Sequence, residues 1–127
     1  MRQPIIAIAT LAAAFALAAC HHEAPKMPTQ AFTHEGVTLT LDPPAAPNCK
    51  PDTNYTATLK WSVDGMDTPK TEVRIDKLDG QVFARSNDRT SHQETGNWVR
   101  PGTWFLLFDR KSGDLLGAVQ AGPKPCP

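Results

Sequence analysis

Tyr55-Thr56-Ala57-Thr58-Leu59-Lys60-Trp61-Ser62-Val63 decides the fold class: every second residue is apolar, and threonine, lysine or serine stands between. Side chains of a strand point alternately to its two faces. The pattern therefore gathers Tyr55, Ala57, Leu59, Trp61 and Val63 on one buried face and turns the polar set to water. Val37-Thr38-Leu39-Thr40-Leu41 alternates in the same way and stops at Asp42-Pro43-Pro44, where proline removes a ladder donor. Val73 and Ile75 alternate with Glu72, Arg74 and Asp76. Asp79-Gly80 then reads as a hairpin turn into residues 81–85, because glycine tolerates the positive φ such turns require. Residues 86–92 read as a polar loop, 93–99 as a further strand, Pro101-Gly102 as a turn, 103–109 as a strongly apolar strand and 115–121 as the last strand. No segment sustains a 3.6-residue apolar period. The expectation is all-β: a single antiparallel β-sandwich of about seven strands.

Three of these stretches together resemble the fibronectin type III pattern within the immunoglobulin-like sandwiches. They are Leu59-x-Trp61, the Val73/Ile75 strand, and Val99-Arg100-Pro101-Gly102-Thr103-Trp104-Phe105. In that family a tryptophan of the second strand packs beneath the sheet, and a Leu-x-Pro-Gly-Thr-x-Tyr stretch opens the sixth strand. Trp61 matches the first feature; Val99, Pro101, Gly102 and Thr103 match the corner. Phe105 departs from the family tyrosine: it fills the same volume but lacks the hydroxyl of the corner hydrogen bond, at a cost of about 0.5–1.5 kcal/mol.

The N-terminus carries a second resemblance. One positive charge, Arg2, precedes an uncharged apolar run over residues 5–19, shorter than a comfortable membrane span and suited to a signal-peptide core. It ends in Leu17-Ala18-Ala19-Cys20, which resembles the lipobox of bacterial lipoproteins. That likeness implies a signal peptide over residues 1–19 and a lipidated Cys20 at the mature N-terminus, carrying palmitate-like acyl chains. Each buried methylene adds roughly 0.8 kcal/mol and one chain binds only marginally, so several make a lasting anchor. The rival reading is ordinary secretion with cleavage after Ala16-Leu17-Ala18, which leaves an unpaired thiol close to the terminus. His21 after the cysteine, where aspartate is absent, implies for a Gram-negative host the outer membrane, facing the periplasm. Residues 20–34, rich in proline and polar groups, read as a flexible lipidated tether, and residues 35–127 as the sandwich domain.

Cys49 and Cys126 remain once Cys20 is acylated. An even pair in an exported, oxidising setting is expected to form a disulfide. Neither sits in a C-x-x-C motif or beside a basic group that would lower its pKa, which speaks against a redox role. Removing Arg2 leaves 12 Lys+Arg against 13 Asp+Glu, without a block of either sign. This excludes the electrostatic footprint of nucleic-acid binding and a polybasic membrane patch.

Little points to catalysis. His21, His22 and Glu23 have metal-donor chemistry, but on a mobile tether nothing preorganises them. His34-Glu35 and His92-x-Glu94 are near-neighbours of the kind a polar surface produces by chance. Ser62, Ser86, Ser91 and Ser112 lack a nucleophile-elbow context, and no phosphate-binding glycine loop occurs. The expectation is a non-enzyme without metal or cofactor.

Binding is the remaining class. The corner resemblance implies that Phe105 and Leu107 point into the core; alternation then aims Trp104, Leu106 and Phe108 outward, where an exposed apolar patch would mark an interaction site. Trp98 either joins that patch or plugs the end of the sandwich. The competing reading is that neighbouring side chains, loops or the tether cover this face. Three functions fit: an envelope-tethered binding or adaptor domain contacting an unidentified envelope or secreted protein; a periplasmic inhibitor or immunity-type lipoprotein against a cell-wall hydrolase; and a glycan-binding module using Trp98 and Trp104. A sandwich fold by itself does not rank them.

Overall fold

The computed structural model describes residues 24–124 and 126. Residues 1–23, which include the expected signal peptide, Cys20, His21, His22 and Glu23, lie outside the described residues. Among those described there are eight strands and no helix: β1 (Phe32–Thr33), β2 (Val37–Asp42), β3 (Thr58–Val63), β4 (Thr71–Ile75), β5 (Val82–Ser86), β6 (Thr90–Glu94), β7 (Trp104–Asp109) and β8 (Leu115–Gln120). They form two sheets, a three-stranded one in the order β2-β3-β6 and a five-stranded one in the order β1-β8-β7-β4-β5. Every pairing between these strands is antiparallel. The chain is an all-β sandwich, compatible with an immunoglobulin- or fibronectin III-like domain.

Strand register carries the alternation into the core. Leu39 stands opposite Trp61 and Leu41 opposite Leu59 on one sheet; Val73 stands opposite Leu107 and Ile75 opposite Phe105 on the other. These inner faces form one apolar cluster, in which Leu59, Val63, Val73, Val99, Phe105 and Leu107 have no exposed surface. Each such side chain contributes about 1.5–3 kcal/mol by leaving water. One polar bond crosses this interior. The Trp61 Nε1–H donates to Thr71 Oγ1 at 3.0 Å, linking β3 in one sheet to β4 in the other. Both residues are buried, so each satisfies a group that water cannot reach.

The corner at Pro101-Gly102 forms without a tyrosine. Gly102 has φ +94°, its N–H donates to Ala121 O at 2.7 Å, and the Ala121 N–H donates to Thr103 O at 2.8 Å. Thr103 Oγ1 accepts from the Arg100 N–H at 3.1 Å, so threonine closes the turn and Phe105 is left as pure core. Cys49 and Cys126 are disulfide-paired, with Cα atoms 4.9 Å apart. Beside them Gly122 donates to Pro44 O at 2.9 Å and Ala46 to Gly122 O at 3.2 Å, joining the C-terminal segment to the chain leaving β2.

Three boundaries differ from the sequence reading. β6 occupies Thr90–Glu94, partly inside the expected loop, whereas Val99 makes only an isolated bridge to Tyr55. β6 is polar on both sides and mostly exposed, so it carries no alternation signal; pairing with β3 alone defines it. The link from β4 to β5 is a six-residue loop over 76–81, and the positive φ falls on Asp76 at +65°. Gly80 is needed there for another reason, because a Cβ would collide with the carbonyl oxygens of Ile75 and Lys77. Finally, Phe32 and Thr33, expected in the tether, pair with Ala118 and Gly117 of β8, so the ordered domain starts before residue 35. Gly117 admits them: a Cβ there would stand 3.1 Å from Phe32 O.

Two outcomes check this core. Thr71→Val keeps the shape but strands the indole N–H, and chemical denaturation should show a loss of about 1–3 kcal/mol. Cys49→Ser opens a link between residues 77 apart in sequence. The chain-entropy relation gives about 4–5 kcal/mol for a loop of that size, measurable as a lower denaturant midpoint that reduction of the native protein reproduces.

Candidate functional site

Leu106 and Phe108 do point away from the main core, but they are not exposed. Leu106 is 0% and Phe108 7% accessible. They form a second cluster on the outer face of the five-stranded sheet with Leu115 and Ala118, and Phe32, Leu78 and Trp104 pack on it. The Arg74 guanidinium lies 5.9 Å above the Phe108 ring. The expectation of a partner-binding surface at Leu106 and Phe108 is therefore corrected. The face is apolar because β1 and the 76–81 loop cover it, and neither cover is visible in the strand's own alternation. Trp104 is only half-exposed and belongs to this cluster.

The same outer face holds an ion cluster that sequence reading missed. Glu72 is 6% exposed. Its Oε2 accepts from Arg74 Nε and its Oε1 from Arg85 Nε, each at 2.8 Å. Arg85 stands opposite Glu72 on β5, so the pairing follows from register. Burial alone would raise the Glu72 pKa, but the two guanidiniums outweigh it and hold the carboxyl below its ordinary value. The only prior signal was a Glu-x-Arg pair on a strand, which reads equally as a solvated face.

Trp98 is different. Among the described residues Met27 and Trp98 are the exposed large hydrophobic side chains, Trp98 at 39%. It does not join Trp104: it packs on the core side of β7, against Phe105, with ring centroids 6.0 Å apart. Phe83 of β5 meets it edge-on at 5.7 Å and meets Phe105 at 5.9 Å. Gly96 lies against the indole edge, where a Cβ would stand 2.8 Å from Trp98 Cδ1. Two aromatic rings and a glycine thus fix an indole that still faces solvent.

Trp98 borders a cleft of about 710 Å3 at the end of the sandwich, walled by Ile75, Val82, Phe83 and the 76–81 loop. That loop is held from both sides. Ile75 donates to Gln81 O at 3.1 Å and Asp76 to Trp104 O at 3.0 Å, while the Trp104 N–H donates to Asp76 Oδ1 at 2.9 Å. Aspartate tolerates the left-handed region better than most residues, yet such a backbone is disfavoured and clusters at functional sites. Asp76, Lys77, Asp79 and Gln81 all expose side chains at the rim. The floor is aromatic and apolar, and the lip carries both charge signs.

The serines considered as nucleophiles are otherwise engaged: Ser62 Oγ with Thr38 Oγ1, Ser86 Oγ with Ser91 Oγ, and Ser112 Oγ with the Asp114 N–H. No three of His, Cys, Asp and Glu gather into a metal-holding group among the described residues.

The Glu72 cluster predicts a pH signature. A carboxyl whose folded pKa lies below its unfolded value stabilises the fold above the unfolded pKa, about 4.3, and loses that contribution as pH falls through the folded pKa. The native protein should lose stability on acidification below about pH 4.3, and Glu72→Gln should flatten that part of the profile. Urea midpoints measured for both proteins between pH 2 and pH 6, roughly the span over which carboxylates titrate, give the comparison.

No protein-family model, curated protein or solved structure matches the chain, so its function rests on this geometry.

Proposed function

We propose that this chain is a non-enzymatic binding domain, held to a bacterial envelope by lipid on Cys20, that presents the Trp98 cleft to its ligand. The observation that carries this reading is the indole that remains exposed while Phe83, Phe105 and Gly96 fix its position. Exposed aromatic side chains are enriched at the energetic centres of binding surfaces. A rigid one loses little rotamer entropy when a ligand arrives.

The rest of the molecule supports the same job. We read the sandwich as fibronectin III-like: buried Trp61 lies on the inner face, and Val99, Pro101, Gly102 and Thr103 build the corner before β7. Such a frame places the cleft on loops at one end of two packed sheets, where binding residues commonly sit on a rigid scaffold. The lipobox resemblance and the proline-rich stretch after Cys20 supply the anchor and the reach. With His21 in the following position, the location we propose is the outer membrane, facing the periplasm.

A photoreactive amino acid in place of Gln81, on the cleft rim, should cross-link an envelope component in living cells. The same group in place of Thr40, on the opposite sheet, should not. Labelled palmitate should enter the native chain and be lost in Cys20→Ser. Equal cross-linking from both positions removes the cleft from the proposal, and label that survives Cys20→Ser removes the anchor.

A further inference from the structure

We propose that the Trp98 cleft takes the sugar rings of a polysaccharide, an assignment of ligand class that rests on the cleft being the binding site. A pyranose ring has a face of C–H groups with partial positive charge and a rim of hydroxyls. The cleft has the complementary division. The indole π-face of Trp98 is electron-rich and meets C–H groups favourably. The exposed side chains of Asp76, Lys77, Asp79 and Gln81 stand around it with acceptors and donors for hydroxyls.

Other ligand chemistries fit less well. A purely aliphatic ligand would strip water from two carboxylates and an ammonium without replacing their hydrogen bonds. An organic cation would meet Lys77, and an anion would meet Asp76 and Asp79. A neutral ligand dense in hydroxyls uses both signs at once. The size is also suitable: about 710 Å3 lies within the roughly 300–1,000 Å3 of small-ligand clefts. The cleft opens at the end of the sandwich, so a chain of sugars can continue past it.

The geometry is set before the ligand arrives. Phe83, Phe105 and Gly96 fix the platform, and the Asp76–Trp104 bonds fix one wall. Asp76 Oδ1 is occupied by the Trp104 N–H, so that carboxylate contributes its second oxygen to the rim. Asp79 is on the exposed part of the same loop.

The test titrates the full-length chain in detergent micelles with three probes: cellotetraose, chitotetraose, and peptidoglycan glycan strands freed of their peptide stems. At least one should bind. Trp98→Ala should weaken that binding about tenfold or more, the loss expected when an energetic centre is removed. Asp79→Asn should weaken it several-fold at an unchanged Tm, which separates recognition from folding. Lys60→Gln, on the opposite sheet, should leave it unchanged. Failure of all three probes, binding that survives both cleft variants, or displacement by tetramethylammonium in place of sugar overturns the proposal. If the probes fail while cross-links from position 81 persist, the cleft remains a binding site for another ligand class. If both fail, the reading of the cleft falls with the sugar.

Discussion

The hydrogen bond from Trp61 to Thr71 is the constraint on which the two-sheet arrangement turns. An indole supplies a large buried surface but brings one donor that water cannot reach once the sheets close. Thr71 supplies the acceptor from the facing sheet, and both residues have almost no access to solvent. Apolar contact alone tolerates sliding between sheets. A single directional bond within an apolar interior fixes which part of β3 lies over which part of β4. From that alignment follow the positions of Val73 and Ile75, and through the β4–β7 register those of Leu107 and Phe105.

Phe105 links that core to the cleft. Its ring closes the interior on one side and supports Trp98 and Phe83 on the other. The exposed platform is therefore an extension of the core, which explains how a solvent-facing indole is held still. The cleft wall depends on β7 as well, since Asp76 exchanges two hydrogen bonds with the backbone of Trp104. The strand that read as a sticky apolar surface instead serves as a beam with a cluster on each face.

The outer face of that beam shows how a small sandwich manages two-sided hydrophobicity. Phe32 arrives on a two-residue strand, Leu78 folds over from the β4–β5 loop, and Arg74 places its guanidinium above Phe108. Glu72, nearly buried among them, has both carboxylate oxygens paired with arginine. A lone buried carboxylate would be costly, and two guanidiniums offset its desolvation. Pairing thus covers the carboxylate, while the Arg85 side chain keeps 60% of its own surface in water.

The sequence by itself determined the all-β class, the inner faces of β2, β3, β4 and β7, the turn at Pro101-Gly102, and the two cysteines that pair. Each rests on a rule that needs no tertiary contact: alternation with period two, proline and glycine conformations, or an even pair of cysteines. Tertiary structure decided whether an outward apolar residue was exposed, because the cluster of Leu106 and Phe108 is covered by Phe32 of β1 and Leu78 of the 76–81 loop, both far earlier in the chain. It decided that polar Thr90–Glu94 is a strand, since only its partner β3 supplies the register. It also decided that Trp98 and Trp104 lie on opposite sides of β7, one against Phe105 and one in the outer cluster. Alternation says which face a side chain takes, whereas exposure depends on what the rest of the chain lays over that face.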